Sequence, residues 1–379
     1  MKILILGADG YLGWSMAANL FSSSHDLFLV DNYSKRKHMK ALKRYPLLET
    51  PLVKKRIQNI KRKGATEFYQ LDCSKYVDIH KIIKNIMPDV VIHFAELPSA
   101  PFSMMNTTNS WETLRNNLQS TFNIIHSLKD LSPKTHLIKL GTMGEYGTPN
   151  IDIEEGWLNI KHKKRSDRFL YPRQGSSLYH TSKIMDTDLI WFYTRMYGLS
   201  CTDLMQGPVY GIYPNKKLDD DVAPLFTYDD IFGTVLNRFI IQAIMNQPLT
   251  VYGSGNQIRG YINILDSIEC IKIAMKNKPK RGELKIYNQF TEQFSVLELA
   301  ELVRKSLKKI NINVNIKKVE NPRVEKEKHY YNAKHSNLKK LGLKANKLNE
   351  KMIIQIANYC MKYKNNIKIN TIMPKVKWK

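Results

Sequence analysis

Short apolar runs separated by longer amphipathic stretches mark the first half of the chain. The apolar residues 3–6 predict that Lys2–Leu6 is a buried parallel strand. Asp26–Val30 predicts a second strand, and helical patterns lie between the runs, the longest at residues 111–129 and from near Gly175. Alternating strands and helices are typical of an α/β fold built on a doubly wound parallel sheet. The remaining strands are predicted at residues 67–71, 89–94, 136–140 and 202–204.

The pattern changes after about Gln206. We therefore expect a nucleotide-binding domain over residues 1–206 and a mainly substrate-binding, smaller mixed α/β lobe over residues 207–379. The chain is expected to cross back to the sheet around residues 231–290. Residues 32–63 are predicted to be irregular, with one helix around 51–60. In the second half, helices are predicted at residues 231–246, 265–275 and 296–307, a short strand at Leu249–Tyr252, and short strands or loops at 287–292 and 312–318.

Composition narrows the class of protein. The chain has 379 residues, of which 43% are hydrophobic. No apolar run reaches the roughly 20 residues that cross a bilayer, and the chain begins directly with a strand rather than a signal peptide. The four cysteines are far apart and lack a C-x-x-C motif, which favours buried thiols in a reducing, cytoplasmic compartment over disulfides or a metal site.

The formal net charge of +25 allows two interpretations. Basic clusters at residues 35–44, 54–63 and 161–168 could serve a nucleic-acid or membrane-surface partner. Alternatively, a lysine-rich surface favours solubility and attracts small anions. Because no RNP-like motif, zinc finger or helix-turn-helix accompanies the charge, we expect no nucleic-acid partner and no membrane insertion.

A glycine-rich segment, Gly7-Ala-Asp-Gly10-Tyr-Leu-Gly13, directly follows the first strand and leads into a helical pattern. Strand, glycine turn and helix form the context of a Rossmann-type dinucleotide fingerprint, whose backbone N–H groups bind a pyrophosphate. Asp31 ends the second strand about 20 residues further on, where a carboxylate accepts from the adenosine ribose. Because an acid there repels a 2′-phosphate, NAD is favoured over NADP, although Arg36 lies nearby.

Further candidate cofactor contacts lie at the carboxyl ends of the predicted strands, where ligands bind in such sheets. Asp72 either meets the adenine edge or caps the next helix. The complete set of predicted cofactor-binding residues is Gly7, Asp9, Gly10, Tyr11, Leu12, Gly13, Asp31, Asn32, Arg36, Asp72, Cys73, Phe94, Ala95, Glu96, Asn117, Leu140, Tyr179, Lys183 and Gln206.

Tyr179 and Lys183 lie four residues apart on a predicted helix, so their side chains can face one cleft. A nearby ammonium is expected to lower the pKa of the phenol from about 10. The tyrosine can then take a proton from a sugar or alcohol hydroxyl while a hydride leaves the same carbon. Thr142, at the end of the fifth strand, supplies a hydroxyl for the substrate oxygen. Tyr-x-x-x-Lys alone is common on helix surfaces, so the hypothesis depends on Thr142 accompanying Tyr179 and Lys183.

With the fingerprint, Asp31, Asn117, Thr142, Tyr179 and Lys183, the chain resembles the extended branch of the short-chain dehydrogenase/reductase superfamily. Longer motifs extend this resemblance over essentially the whole chain, in order, and are similar to those of the UDP-sulfoquinovose synthase family. They lie at residues 141–156, 249–253, 259–261, 288–295, 321–325, 329–335, 372–374 and 378–379.

The resemblance implies that UDP-glucose and sulfite become UDP-6-sulfo-quinovose and water, with tightly bound NAD reduced and reoxidised in each cycle. It implies that Tyr179 is the base at the 4-hydroxyl, Lys183 its tuner and Thr142 the hydroxyl partner. Glu145 is either an elimination acid/base or a structural partner, because related 4,6-dehydratases have an Asp-Glu pair where this chain has Met143-Gly144. The predicted substrate-binding residues are Thr142, Tyr179, Gln206, Arg259, Arg323 and Glu325.

The resemblance also has a departure. After residues 93–96 the plant-type pattern has Gln-Arg, whereas this chain has Leu97-Pro98. If that arginine holds sulfite or sugar, this chain needs another cation, and we expect His180 or a lysine of residues 161–168. His180 either faces sulfite and the leaving hydroxyl, or is a packed or solvent-facing histidine. The family also implies a sulfite-donor enzyme as a partner and a homodimer formed through helices at residues 111–129 and 176–197.

Two alternatives remain. A UDP-sugar 4-epimerase or 4,6-dehydratase shares Tyr179, Lys183 and NAD, although Met143-Gly144 argues against an ordinary dehydratase. A non-catalytic NAD-binding protein would instead use the basic surface for RNA or an anionic membrane. The intact Thr142, Tyr179 and Lys183 set argues against it.

Overall fold

A computed structural model describes residues 1–213, 220–323, 330–376 and 378. The first half of the chain alternates between strands and helices. Its elements are β1 (Lys2–Leu6), α1 (Tyr11–Leu20), β2 (Asp26–Val30), α2 (Ser34–Ala41), α3 (Val53–Gln58), β3 (Thr66–Tyr69), α4 (Tyr76–Ile86), β4 (Val90–His93), α5 (Ala100–Ser103), α6 (Thr107–Leu131), β5 (His136–Thr142), β6 (Trp157–His162), β7 (Arg165–Leu170), α7 (Leu178–Tyr197) and β8 (Ser200–Gln206).

The second half contains shorter strands among four longer helices and a short one. Its elements are β9 (Val209–Tyr210), α8 (Val235–Ile244), β10 (Leu249–Tyr252), β11 (Ile258–Asn263), α9 (Ile264–Lys276), β12 (Leu284–Gln289), β13 (Glu292–Ser295), α10 (Val296–Lys308), β14 (Ile316–Val319), α11 (Asn337–Lys340) and α12 (Glu350–Lys362).

The central sheet confirms the predicted doubly wound α/β fold. Its seven strands are all parallel, in the order β12-β8-β5-β4-β1-β2-β3. Strands β1, β4, β5 and β8 are buried almost throughout because helices cover both faces of the sheet. The strand order reverses on either side of β1. A crevice therefore opens at the carboxyl ends of β1 and β4, where such sheets bind ligands.

The apolar core has one cluster on each face of the sheet and one in the second half. Side chains of α1 and α9 pack on one face, and those of α4, α6 and α7 on the other. A third cluster joins α8, α10 and α12 through Phe239, Leu299 and Ile353. No helix in the described residues is long and apolar enough to cross a membrane.

Strand β12 brings the second half of the chain back into the sheet. It pairs with β8 so that Gln289 lies opposite Gln206, and β8 pairs with β5 so that Gln206 lies opposite Thr142. Three polar residues of three strands are thus aligned at the carboxyl edge.

Local elements differ from the predictions in several places. Helices α4 and α12 and strand β11 lie where no element was predicted. Residues 32–63 contain α2 as well as the expected helix, now bounded as α3. The basic residues 161–168 belong to the β6–β7 hairpin, which was not predicted. Helix α8 begins four residues later than predicted, because Asp229 Oδ1 accepts from the N–H groups of Ile231 and Phe232 at 2.9 and 2.8 Å. These bonds hold a turn at the start of the predicted helix.

Candidate active site

A cavity of about 710 Å³ lies at the carboxyl ends of the strands and is lined by both halves of the chain. Most of the predicted site residues line it. They are Gly7, Asp9, Gly10, Tyr11, Leu12, Gly13, Asp31, Asn32, Asp72, Cys73, Phe94, Ala95, Glu96, Leu140, Thr142, Tyr179, His180, Gln206, Arg259 and Arg323. Glu325 lies outside the described residues.

The glycine-rich segment forms an open cradle at the start of α1. A Cβ on Gly13 would lie 2.0 Å from Gly7 O, so the helix can approach the turn this closely only with glycine there. A Cβ on Gly10 would meet only Gly7 O, at 3.5 Å, and Gly10 lines the cavity. The N-terminal N–H groups of α1 are therefore accessible from the cavity, as a pyrophosphate requires.

Asp31 is held at the end of β2 by backbone donors. Its Oδ2 accepts from the N–H of Asp9 at 2.8 Å, and its Oδ1 accepts from the N–H of Tyr33 at 2.7 Å. Burial, and secondarily the charge of Asp9, raise the pKa of Asp31 to about 6. The carboxylate keeps lone pairs for a ribose hydroxyl.

Arg36 does not line the cavity, and its cofactor contact stays a prediction. Its Nε lies 2.7 Å from Asp9 Oδ2, and its Nη1 donates to Thr50 O at 2.8 Å. The fully buried Arg56 also forms an ion pair with Asp9. Both guanidinium groups compensate the Asp9 carboxylate and stabilise the fingerprint turn from behind.

Asn117 likewise does not line the cavity, so its cofactor contact stays a prediction. It is fully buried; its Oδ1 accepts from Leu97 N at 2.8 Å and its Nδ2 donates to Ser182 Oγ at 3.0 Å. It connects α6 to the β4 loop and to α7. Its neighbour Asn116 and Ser120, one turn further on, line the cavity instead.

Thr142 and Tyr179 are brought together by β5 and α7. The Thr142 hydroxyl beside the phenol by itself lowers the pKa of Tyr179. Burial and the carboxylates of Glu96 and Glu145 outweigh this contribution and raise the pKa of Tyr179 above its ordinary value. The expected lowering by a neighbouring ammonium is therefore not found in the unliganded protein.

The environment of Lys183 explains why this ammonium does not lower the pKa of Tyr179. Its side chain is fully buried and forms an ion pair with Glu96, while Asp186 Oδ2 lies 3.8 Å from its Nζ. Glu96 lines the cavity, whereas Lys183 does not. The charge of Lys183, which was predicted to lower the pKa of Tyr179, is thus compensated by Glu96. The sequence analysis had assigned Glu96 to cofactor binding alone.

Glu145 does not line the cavity, and its acid/base role stays a prediction. Its carboxylate is fully buried behind Thr142, where Oε1 accepts from the Thr142 N–H at 3.2 Å. Thr187 Oγ1 donates to its Oε2 at 3.0 Å, and Lys139 Nζ lies 3.4 Å from Oε1. These contacts favour the structural alternative, in which Glu145 is a partner of a backbone amide.

His180 occupies the space above Gly144. A Cβ on Gly144 would lie 2.3 Å from His180 Nε2, so only glycine leaves room for the imidazole. His180 Nδ1 lies 3.1 Å from Ser176 Oγ. Burial, followed by the nearby cations Arg323 and Arg259, lowers the pKa of His180 to about 3. His180 is therefore neutral near pH 7 and does not provide the cation expected in place of the missing arginine.

The lysines of residues 161–168 do not line the cavity, so this second expected cation is also corrected. Among the described residues, the lysine and arginine side chains that line it are Lys35, Arg238, Arg259 and Arg323. Lys35 and Arg238 were missed by sequence reasoning. Lys35 lies in a basic cluster of a stretch predicted to be irregular, and Arg238 lies in a predicted helix; in both settings a basic residue is ordinarily taken for a solvated one.

The remaining predicted residues hold the walls in place. Gln206 Nε2 donates to Ser267 Oγ at 2.7 Å and to Gln289 Oε1 at 3.0 Å. Asp72 Oδ1 accepts from the N–H and the hydroxyl of Ser74 at 2.9 and 2.8 Å, forming a turn before α4. The Arg323 guanidinium lies 4.9 Å from the ring centroid of Trp378.

A parallel sheet with a dinucleotide cradle and a Thr–Tyr pair defines an NAD-dependent enzyme class. The model of the NAD dependent epimerase/dehydratase family matches residues 3–288, and the chain belongs to this family. Among its relatives are two full-length matches. The chain is 42% identical over its whole length to "UDP-sulfoquinovose synthase, chloroplastic" of Spinacia oleracea, covering 79% of that protein. It is 38% identical, again over its whole length, to UDP-sulfoquinovose synthase of Sulfolobus acidocaldarius, covering 98% of it.

Solved structures show the same fold. UDP-glucose 4-epimerase from Bifidobacterium longum, in complex with NAD+ and UDP, superposes with a TM-score of 0.71 at 18% identity, covering 97% of this chain and 98% of that one. UDP-glucuronic acid 4-epimerase from Bacillus cereus, in complex with UDP-glucuronic acid and NAD, gives 0.68 at 20% identity, covering 96% and 99%.

Proposed function

We propose that this chain is a UDP-sulfoquinovose synthase, which converts UDP-glucose and sulfite into UDP-6-sulfo-quinovose and water with bound NAD. The observation that carries the proposal is the neutral His180 imidazole above Gly144, beside the Thr142–Tyr179 pair. It differs from the carboxylate pair of the related dehydratases. The two full-length relatives bear the name of this enzyme.

The proposal assigns NAD to residues 1–206 and the UDP-sugar mainly to residues 207–379. The Gly10 cradle fits a pyrophosphate, and Asp31 fits the adenosine ribose. When bound, NAD supplies a reversible hydride acceptor for carbon 4 of the sugar. Arg259 and Arg323, on the opposite wall, are assigned to the diphosphate because guanidinium forks suit phosphate oxygens.

Tyr179 is assigned to accept the proton of the 4-hydroxyl, and Thr142 Oγ1 is assigned to hydrogen bond the same sugar oxygen. In the free protein the raised pKa of Tyr179 keeps the proton on the phenol. Lys183 and Glu96 are assigned to positioning: the ion pair fixes the charge beneath Tyr179 and Glu96 faces the cavity. Glu145 supports the Thr142 backbone rather than touching substrate.

Oxidation at carbon 4 acidifies the proton on carbon 5. His180 Nε2, a neutral imidazole nitrogen at this end of the cavity, is assigned to accept that proton and to protonate the departing 6-hydroxyl, which leaves as water. Sulfite, entering as hydrogen sulfite, then forms a bond from its sulfur to carbon 6 of the unsaturated sugar, and its proton passes through His180 to carbon 5. A hydride would return to carbon 4, and Tyr179 returns its proton to the 4-oxygen. Atoms balance as UDP-glucose plus sulfite giving product plus water.

The proposal includes a homodimer through α6 and α7. These helices pack on each other, and each exposes large apolar side chains, such as Phe122 with 41% of its surface exposed. Light scattering of the protein should give twice the chain mass, and Phe122→Glu should shift the mass toward one chain. A single-chain mass for the unmodified protein would contradict the dimer. The exposed apolar side chains are Trp111, Leu118, Phe122, Met185, Phe192 and Met196.

The decisive experiment incubates purified protein and NAD with UDP-glucose, with and without sulfite, and identifies products by mass. The expected result is a sulfonated sugar nucleotide that forms only with sulfite. Formation of UDP-galactose alone would indicate a 4-epimerase. If no sulfonated product forms with free sulfite, a sulfite-donor enzyme should be added; absence of product under both conditions refutes the proposal.

A further inference from the structure

Two buried carboxyl groups lie against one ammonium, one helical turn from Tyr179. Lys183 on α7 forms an ion pair with Glu96, which follows β4, and Asp186 Oδ2 lies 3.8 Å from the same Nζ. The side chains of Lys183 and Asp186 are 0% exposed, and that of Glu96 is 6% exposed. If both carboxyl groups were ionised, this buried cluster would carry a net negative charge, which is costly away from water.

Asp186 differs from the other buried acids of this region in its hydrogen bonds. Neither of its carboxyl oxygens has a hydrogen-bond partner within the described residues, and 3.8 Å is too long for a bond from Lys183 Nζ. Glu145, by contrast, accepts from the Thr142 N–H and from the Thr187 hydroxyl. An ionised Asp186 would therefore be buried without the donors that ordinarily stabilise a carboxylate.

Protonation of Asp186 removes this cost and creates a donor. A carboxylic acid donates one O–H bond, and Glu96 is the carboxylate that acts most strongly on Asp186. Glu96 Oε1 also has no hydrogen-bond partner within the described residues, although His93 Nε2 lies 3.4 Å from it. Glu96 therefore has lone pairs available for the Asp186 proton.

Strands β4 and β5 and helix α7, with the residues that follow the two strands, supply the titratable groups around this pair. Burial and the charge of Glu96 raise the pKa of Asp186 well above its ordinary value, and Lys183 and Lys139 oppose this shift. Burial lowers the pKa of His93 to about 4, so this imidazole is neutral near pH 7. The titratable groups that act on Asp186, Glu96 or Lys183 are His93, Glu96, Lys139, Glu145, Lys183 and Asp186.

We propose that Asp186 is a positioning residue that stays protonated and donates its proton to Glu96, so that the two carboxyl groups share one proton beside Lys183. The inference rests on the proposed function and adds a residue that acts through Glu96 and Lys183 rather than on the substrate. The shared proton keeps the cluster near Tyr179 neutral. The charge of Glu96 already raises the pKa of Tyr179, and a second carboxylate charge would make its phenolate still harder to form.

Urea unfolding at several pH values tests the protonation state of Asp186. Asp186→Asn keeps a neutral donor of similar shape and should be at least as stable as the unmodified protein near pH 7. A protonated Asp186 releases its proton on unfolding above about pH 4. The unfolding constant of the unmodified protein should therefore rise relative to that of Asp186→Asn, by up to about tenfold per unit between about pH 5 and 8. A ratio that does not change with pH would show that Asp186 is ionised and would overturn the proposal.

Asp188, two residues further along α7, provides the matched control. Its side chain is 58% exposed and pairs with Arg173. Asp188→Asn removes an exposed carboxyl instead of a buried one, so its unfolding constant should keep a flat ratio to that of the unmodified protein over the same pH range.

Infrared spectroscopy detects the shared proton without requiring a variant that folds. The C=O stretching band of a carboxylic acid is absent from a carboxylate, and ¹³C-labelled aspartate shifts this band when an aspartate is its source. The unmodified protein at about pH 8 should show the shifted band, far above the ordinary aspartate pKa of about 4. Asp188→Asn should keep the band, and Asp186→Asn should lack it. Absence of the band from the unmodified protein contradicts a protonated Asp186.

Reduction of bound NAD by UDP-glucose, followed by absorbance, tests the positioning role. Asp186→Leu removes the donor and should slow reduction by about tenfold or more, whereas Asp186→Asn should restore the rate to within about threefold of normal. UDP-glucose affinity should be unchanged in both variants, because Asp186 does not line the cavity. Equal losses in the two variants would assign the effect to a carboxylate charge, and a normal rate in Asp186→Leu would show that the donor is not needed. Either result refutes the positioning role.

The unfolding and infrared measurements use the free protein and need no turnover, so they distinguish the two proposals. If no sulfonated product forms but Asp186→Asn lacks the acid band, the assigned reaction fails and the shared proton stands. If product forms and the band does not depend on Asp186, the shared proton alone fails.

Discussion

The two sides of the active-site cavity differ in whether a buried cation is paired with carboxylates. Behind Thr142, Lys139 Nζ lies 3.4 Å from Glu145 Oε1 and 3.3 Å from Asp203 Oδ2, and all three side chains are fully buried. On the opposite wall, Arg238 is nearly as buried but has no acidic partner within the described residues. Both regions contain a buried basic side chain.

This difference distinguishes buried charges that stabilise the fold from buried charges that are available to a ligand. A buried cation that already contacts carboxylates is compensated in the free protein and has little to gain from a ligand. A buried cation without such a partner is held there by the surrounding fold and gains most when an anion arrives. Charge in the first region should therefore control stability, and charge in the second should control binding.

The largest effect is expected at the boundary between the regions. Tyr179→Phe should lower turnover by about 10²- to 10⁴-fold, because the proton acceptor is lost. Binding of NAD and UDP-glucose, measured separately, should be retained since the ring keeps its packing. Tyr171→Phe is the matched control: its hydroxyl donates to Asp152 O at 2.9 Å, away from the cavity, and turnover should persist. Near-normal turnover in Tyr179→Phe would remove this residue from the mechanism.

A second variant tests the compensated network. Lys139→Met leaves Glu145 and Asp203 buried without their shared cation, and should cost about 3–5 kcal/mol of unfolding free energy. Urea unfolding measures this value. The exposed Lys305 provides a control, Lys305→Met, which should change stability by less than about 0.5 kcal/mol. A loss below about 1 kcal/mol for Lys139→Met would show that the network does not depend on this cation.

A third variant sharpens the assignment of His180. Gly144→Ala places a Cβ where it would lie 2.3 Å from His180 Nε2, so the imidazole must move. Formation of sulfonated product should fall by roughly 10- to 100-fold, as expected for loss of one proton-transfer group. Reduction of bound NAD by UDP-glucose, followed by absorbance, should continue. The His180→Ala variant should behave alike, and the double variant should be no worse than either; additive losses would show that Gly144 acts independently of His180.

The smallest effect concerns pH. Because the pKa of Asp31 is raised to about 6, this carboxyl is largely protonated below that pH in the free protein. NAD affinity should rise with pH up to about 6, by less than about tenfold per unit, and then level off. The same group stabilises the folded protein below its unfolded pKa of about 4, and this contribution is lost as pH rises through about 6. Asp31→Asn should flatten the NAD profile between pH 5 and 7; an unchanged slope would contradict this assignment.

Much of the fold was predictable because it depends on local pattern. The buried runs at Lys2–Leu6 and Asp26–Val30, with the glycines after the first, indicated parallel strands and a dinucleotide cradle. The α8 start was misplaced because a single side chain, Asp229, captures two backbone N–H groups and competes with the helix. The β6–β7 hairpin was missed because both its strands are mostly exposed and their apolar residues do not alternate regularly with polar ones, as they do in a half-buried strand.

The sequence predicted which residues form the candidate site, but it did not predict how their charges are paired or how their pKa values are shifted. Spacing placed Tyr179 and Lys183 on one helix, yet only the fold shows that Glu96 compensates the lysine and that the pKa of the phenol is raised. Glu145, one position beyond the dehydratase pattern, points behind Thr142 rather than into the cavity. Such outcomes depend on which groups meet across the sheet, and sequence separation does not encode those distances.

The sequence by itself determined the doubly wound sheet, the dinucleotide cradle and the placement of Tyr179 and Lys183 on one helix, because hydrophobic period, turn glycines and helical spacing act over a few residues. Only the tertiary structure decided which charges are compensated and which face the cavity. Arg238 shows the reason: helix α8 buries it against the cavity, with no acidic partner among the described residues. Burial and pairing depend on residues distant along the chain, so sequence separation does not show which buried basic residues are compensated.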